Sequence, residues 1–378
     1  AKESSKLGIE LFVLDDGWFG ERNNDDCSLG DWFVNEEKLK GGLNSLATDI
    51  NKMGMQFGLW FEPEMISPKS KLYEEHPDWC IHIDGRIRSE ARKQLILDLS
   101  RDEVCEAVIK MLTDVLKSAP ISYVKWDMNR NMTEIGSTAW PAKKQKEIAH
   151  RYMLGLYKIL ENITSNFPNI LFESCSGGGG RFDGGMLYYM PQTWTSDDTD
   201  AIERLMIQEG TSLVYPTSSM GSHVSAVPNH QVHRITPLNT RGVVAMAGSF
   251  GYELDVTKMN EEEKEEVKKQ VEFYKNIRST VQFGDLYRLK SSFDSNEAAW
   301  MNLSKDGKEV VVSYVKKYAE ANVIPRRLKV KALDENSLYE VIETGEVFGG
   351  DELMYIGLEI GELMGDYQAK NWTLRKVD

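Results

Sequence analysis

The sequence predicts an α/β chain of the (β/α)8 TIM-barrel class followed by a smaller antiparallel β domain. Three observations predict it. Short apolar, β-branched runs alternate with amphipathic helical patterns, polar residues collect at the C-terminal ends of those runs, and beyond about residue 285 the helical patterns give way to short alternating strands. The 378 residues suffice for a barrel of about 250 residues and a second domain, which we place at 1–284 and 285–378.

The elements follow in order. Strands are predicted at 10–15, 56–61, 94–99, 122–127, 169–174 and 192–196, each a five- or six-residue segment built around apolar or β-branched residues. Helices are predicted between them at 43–53, 102–118, 145–166 and 201–208, and this alternation implies a parallel sheet with right-handed crossovers. A seventh strand lies at 212–218 or at 243–249, and the pattern does not separate the two. Residues 261–280 read as a charged helix with apolar positions at Val267, Val271, Tyr274 and Ile277. The C-terminal strands are expected at 298–303, 309–318, 326–333, 338–343 and 355–361, with Asp306-Gly307 as a hairpin turn. That domain carries no acidic pair at a strand end, so no chemistry is assigned to it.

Most strand ends are polar. The first gives Asp15-Asp16-Gly17-Trp18, and the second gives Trp60-Phe61-Glu62-Pro63-Glu64. Arg92 precedes the third. The fourth gives Lys125, Trp126, Asp127 and Asn129, the fifth gives Glu173-Ser174-Cys175 and the glycine run 177–180 that includes Gly178, and the sixth gives Trp194 and Asp197. Polar groups at the C-terminal end of strand after strand are what a barrel active site requires. Stability alone explains them poorly, because buried charges must be paired or they cost heavily.

Two segments carry the chemistry. Lys125 and Asp127 share one face of their strand, and a lysine beside a carboxylate keeps it ionised and available as a nucleophile. The alternative is a surface strand end holding an ion pair. Asp197, Asp198 and Asp200 sit at a strand-to-helix junction. One of them projects into the same mouth as Asp127, or they only cap the helix, and three carboxylates allow both. The glycine run lacks phosphate-loop spacing and reads as close backbone approach to a ligand or a mobile loop.

Bulk properties exclude several classes. A net charge of −14 argues against a nucleic-acid or anionic-membrane partner and suits a neutral ligand. No apolar run reaches about 18 residues, so no membrane span is predicted, and no signal peptide is expected within these residues. The 4 cysteines show no CxxC spacing, so neither a zinc site nor a thioredoxin-type site is expected, and their scatter fits a reducing, cytoplasmic setting. Several of the 9 tryptophans adjoin acidic residues, an arrangement that suits sugars, whose C–H faces stack and whose hydroxyls need partners; others belong to the core.

Seven segments carry a resemblance: LFVLDDGWFG (11–20), LGDW (29–32), GLWFEPEM (58–65), YVKWDMNR (123–130), ESCSGGGGRFD (173–183), WTSDDTDAIERL (194–205) and VYPTSSMGSHVSAVPNHQ (214–231). On these motifs the chain resembles the α-galactosidases of glycoside hydrolase family 36 over almost its whole length. The resemblance implies hydrolysis of terminal α-galactosyl residues from oligosaccharides such as melibiose and raffinose, by a retaining mechanism. Asp127 matches the nucleophile and Asp197 the acid/base, with carboxyls about 5–5.5 Å apart. Asp15 and Asp16 resemble the acceptors of the 4- and 6-hydroxyls. Trp60, Arg92, Lys125, Trp126, Asn129, Cys175, Gly178 and Trp194 match substrate-binding positions. No metal or organic cofactor is implied. The family's N-terminal β-sandwich and first barrel strand have no counterpart in these residues, which implies part of a longer polypeptide. The family's tetramer makes a homo-oligomer the expectation. Two other readings stand beside this one: an α-galactosyltransferase of the raffinose/stachyose synthase type, differing in the acceptor, and a non-catalytic sugar-binding fragment.

Overall fold

The computed structural model describes residues 1–377. The chain divides into two compact units, Ala1–Thr193 and the residues from Trp194 onward. In the first unit, β1 (Leu11–Leu14), β2 (Gln56–Phe61), β5 (Tyr123–Trp126), β6 (Leu171–Ser174) and β7 (Gln192–Trp194) form a parallel sheet in that order. The register pairs Leu14 with Leu59, Trp60 with Lys125, and Lys125 with Glu173. Parallel strands in such a register end together, so 15–18, 62–64, 127–129 and 175–178 leave the sheet on one rim. The period of two sends Lys125 and Asp127 to one face and Val124 and Trp126 to the other.

The helices Gly42–Lys52, Asp102–Ser118 and Ile148–Asn166 cover the sheet with stripes spaced at helical intervals: Leu43, Ala47 and Ile50; Val104, Val108, Leu112 and Val115; Leu156, Ile159 and Ile163. Gly155 lets the third helix pack against the turn that leads into the second. A Cβ there would lie 1.8 Å from the Leu99 carbonyl oxygen.

Two strand expectations are corrected. The run 94–99 is not a barrel strand. Only β4 (Leu95–Ile96) is extended, and it pairs antiparallel with β3 (Met65–Ile66) outside the main sheet. Arg92 and Lys93 before it take positive φ of 52° and 57°, and the Asp98 carboxylate accepts from the Ser100 N–H after it, so both ends turn. The last parallel strand is neither 212–218 nor 243–249. It is two strands, β8 (Met220–Ser225) and β9 (Ser249–Glu253), paired in parallel in the second unit. Residues 211–212 continue the helix Ala201–Ser212, and 243–245 end the helix Leu238–Ala245. That second helix is buried at every position but Asn239, so its apolar run looks like a buried strand.

The second unit also holds a six-stranded antiparallel sheet. Its order is β10 (Asp285–Lys290), β11 (Glu297–Leu303), β12 (Glu309–Lys316), β17 (Gln368–Val377), β14 (Leu338–Val341), β15 (Glu346–Gly349). Gly307, at φ 72°, closes the expected hairpin between β11 and β12. The runs 326–333 and 355–361 shrink to a two-residue pair, β13 (Arg327–Leu328) with β16 (Leu358–Glu359). Strands β10, β15 and β17 come in addition to those expected. Val243 and Val244 pack with Val315 and Ala369, and Asn239 and Thr240 donate side-chain hydrogen bonds to the Ala369 and Tyr367 carbonyls. The helix Glu261–Phe283 buries Val267, Val271, Tyr274 and Ile277, as its sequence pattern predicts, behind an Asn260/Glu263 capping box. Among the described residues no helix is long and apolar enough to cross a membrane.

Candidate active site

In the first unit, a ring of donors converges on Asp127. This residue leaves β5 with its own N–H bonded to the Phe61 carbonyl, and it is 6 % exposed. Oδ1 accepts from the Met128 N–H at 2.8 Å. Oδ2 accepts from Asn129 Nδ2 at 2.6 Å and from the Trp60 indole N–H at 3.3 Å. Donors thus fix the direction of both oxygens. The Cys175 thiol lies in hydrogen-bonding contact with the same carboxylate; burial first, and then the Asp127 charge, push it well above the ordinary thiol range. Lys125 lies on the same face, its Nζ 3.3 Å from Asp15 Oδ2. Burial disfavours its charge, but Asp15, Cys175, Glu173 and Asp127 outweigh that and hold it firmly protonated. Asp16 is clamped by Arg22, whose Nε and Nη2 donate to it at 3.0 and 2.8 Å.

Behind this ring lie two buried carboxyls that sequence reasoning did not assign. Glu64 is fully buried and accepts four hydrogen bonds: from Arg181 at 2.8 and 2.7 Å, from the Trp126 indole at 2.9 Å and from the Tyr152 hydroxyl at 2.6 Å. Burial alone would raise its pKa; the Arg181 guanidinium and the hydroxyl and indole donors more than offset this and hold it below the usual carboxylate range. Arg181 follows the glycine run, so this pair ties that loop to the end of β2. The loop turns at Gly177 and Gly178, with φ of 52° and 84°, and the Ser176 N–H bonds to the Gly178 carbonyl. Glu62 accepts from the Asn129 N–H at 2.5 Å. Burial, then the Asp127 charge, push its pKa up to about 8. The signal for both was present in WFEPEM, where two glutamates interrupt an apolar motif at a strand end.

In the second unit, the Trp194 indole N–H donates to Asp197 Oδ1 at 3.1 Å. Trp194 is itself fixed between the Arg204 guanidinium, 4.7 Å from its ring, and His223 at 4.5 Å. Arg204 is buried and donates to the Ser196 and Gly221 carbonyls and to Gln208. The three aspartates divide their work. Asp200 is buried, caps the helix Ala201–Ser212 through the Ile202 and Glu203 N–H groups, and pairs with Arg234. Asp198 accepts from the Asp200 N–H. Asp197 is exposed and takes no part in the cap.

Of the predicted site residues, the structure brings Asp15, Trp60, Lys125, Asp127, Asn129 and Cys175 into one network, with Gly178 and Asp16 beside it. Trp194 and Asp197 form a second group within their own unit. Trp126 stands apart. It faces away from Lys125 and Asp127, is 1 % exposed, and commits its N–H to Glu64, so it supports the rim from behind. Arg92 sits half-exposed on its loop, 3.7 Å from Asp25, with its charge felt by Glu62.

The melibiase family model matches residues 1–284, and the glycosyl hydrolase family 36 C-terminal domain matches residues 297–374. The chain is 61% identical over 377 residues to the α-galactosidase AgaA of Geobacillus stearothermophilus, covering all of this chain and 52% of that protein. It is 51% identical over 376 residues to the α-galactosidase Mel36A of Lactobacillus acidophilus, covering all of this chain and 51% of that one. Crystal structures of AgaA variants superpose on it at 61% identity. A complex with raffinose gives a TM-score of 0.97, covering 99% of this chain and 52% of that one, and a complex with stachyose gives 0.98, covering 100% and 52%. The fold is therefore an incomplete (β/α)8 barrel with seven parallel strands and a C-terminal antiparallel β domain. The chain belongs to glycoside hydrolase family 36. It spans about half the length of the curated relatives it matches.

Proposed function

We propose that these residues form the catalytic part of an α-galactosidase that releases terminal α-galactosyl groups from oligosaccharides of the raffinose type by a retaining double displacement. The observation that carries the reading is the Asp127 carboxylate at the end of β5, met by three donors and placed on the same strand face as Lys125. Such donors fix the direction of the carboxylate, as attack by a nucleophile requires. Two relatives bearing that activity in their names support the substrate class, as do the raffinose and stachyose complexes of AgaA variants. Each of those complexes was obtained with an aspartate replaced, and the two replaced aspartates are seventy positions apart, the separation of Asp127 and Asp197 here.

In this reading Asp127 attacks the anomeric carbon while Asp197, exposed and free of the helix cap, protonates the departing oxygen. The C–O bond to the leaving group breaks as the glycosyl ester forms. Asp197 then takes a proton from water, which attacks the anomeric carbon as its bond to the Asp127 carboxylate breaks, and galactose leaves with its original α configuration. Asp15, Asp16 and Lys125 offer acceptors and a donor for ring hydroxyls, and Trp60 both orients Asp127 and walls the mouth. The test is hydrolysis of an aryl α-galactoside by the intact protein, with the product followed by proton NMR. Release of the α-anomer first, lost by a factor on the order of 10⁴ or more in Asp127→Asn, is expected. First release of the β-anomer, or an Asp127→Asn variant of undiminished activity, would overturn the assignment.

A further inference from the structure

We propose that Glu62 is a positioning residue for Asp127, holding Asn129 in place through a carboxyl group that stays neutral while Asp127 is charged. The inference rests on the reading of Asp127 as nucleophile. Glu62 follows β2 directly. Since Phe61 pairs with Trp126 and the Asp127 N–H bonds to the Phe61 carbonyl, the two carboxyls leave adjacent strands side by side. Glu62 is 1 % exposed and makes no ion pair within 4 Å among the described residues. Its Oε1 accepts from the Asn129 N–H at 2.5 Å, and the Asn129 amide donates to Asp127 Oδ2 at 2.6 Å, so Glu62 fixes the residue that fixes the nucleophile.

The far side of Glu62 fits a protonated carboxyl. Its Oε2 lies 3.3 Å from the Gln94 side-chain nitrogen; Gln94 is wholly buried, and its Oε1 has no hydrogen-bond partner. Turning that amide over sets an orphaned acceptor against Oε2, and a carboxylic O–H there satisfies it. The charges that face Glu62 are Asp127, which resists its ionisation, and Arg92 and Arg22, which favour it from the surrounding loops. Burial joins Asp127 on the resisting side. Two adjacent carboxyls that differ in solvation and donors share one negative charge, and here it resides on the better-donated Asp127.

The test compares Glu62→Gln and Glu62→Met in the intact protein, using an aryl α-galactoside whose phenol departs without a proton, so that the acid limb of kcat/KM against pH reports Asp127. Glutamine reproduces both hydrogen bonds of the neutral acid. Glu62→Gln is expected within about threefold of wild type with an unmoved acid limb. Glu62→Met is expected to lose on the order of 100-fold in kcat/KM, the size of a displacement of about 1 Å at a reacting group. An acid limb that falls by a full unit in Glu62→Gln would show that Glu62 is charged in the wild type, and a fully active Glu62→Met would show that it positions nothing; either overturns the inference. If Glu62→Met fails to fold, the glutamine profile decides alone. A wild type silent on this substrate would instead remove the function on which the inference rests.

Discussion

Replacing Arg181 by methionine tests the buried frame behind the nucleophile. Glu64 is fully buried and its charge is balanced by one guanidinium, which donates two of its four hydrogen bonds. Methionine keeps the stem and removes both. The Trp126 and Tyr152 donors remain, so the carboxylate is not stripped bare, but its one charge partner at contact distance among the described residues is gone. Removing one member of a buried pair costs about 3–5 kcal/mol. For a unit of this size that is a fall of roughly 10 °C in melting temperature. The cost depends on pH in a direction fixed by Glu64. In the wild type its pKa is depressed, so its contribution is present above the ordinary carboxyl range and is lost only as pH falls through the lower folded value. In the variant, burial remains while the guanidinium is absent, so the pKa moves up and Glu64 takes a proton in mild acid. The deficit between wild type and variant is therefore larger at pH 7.5 than at pH 5. Urea unfolding followed by tryptophan fluorescence measures it. A deficit below about 1 kcal/mol, or one equal at the two pH values, would refute the account of Glu64 as a charge held by Arg181.

Two further outcomes are expected. Asp197→Asn should lower kcat on an unactivated oligosaccharide far more than on a dinitrophenyl α-galactoside, because a good leaving group departs without a proton; equal losses in steady-state assays would take Asp197 out of the acid role. Alkylation of the native protein at pH 8, read by peptide mass spectrometry, should mark Cys27 first. Cys80 and Cys105 are buried, with burial pushing them up to about 12 and about 11, and burial and Asp127 raise Cys175 well above the ordinary thiol range, so little thiolate is present at those three; early labelling of Cys175 would contradict its placement.

The strand ends that carry chemistry were legible because the chemistry itself breaks the apolar pattern. Lys125, Asp127 and Asn129 interrupt a run that a core strand would fill with aliphatic residues, and the structure gathers them with Trp60 and Asp15. The same logic failed where a strand is polar along its length. Strand β8 reads MGSHVS, with serines facing buried partners such as Gln208, and nothing in its hydropathy marks it. The helix Leu238–Ala245 fails in the opposite sense, because a helix exposed only at Asn239 has almost no amphipathic period. Trp126 shows a finer limit. Its neighbours on both sides face the rim, but the period of two turns it toward Glu64, and only the pairing register settles which member of LysTrpAsp faces which way. Arg181 lies 117 positions from Glu64 and Asn129 lies 67 from Glu62, and these partnerships arise from β2, β5 and β6 ending together.

The most direct test of the central claim is capture of the glycosyl ester. The intact protein, treated with a 5-fluoro α-galactosyl fluoride and digested with pepsin, should yield one peptide heavier by a fluorogalactosyl group, with fragmentation placing the label on Asp127. A label on any other carboxylate, or turnover with inversion and no label, would contradict the account.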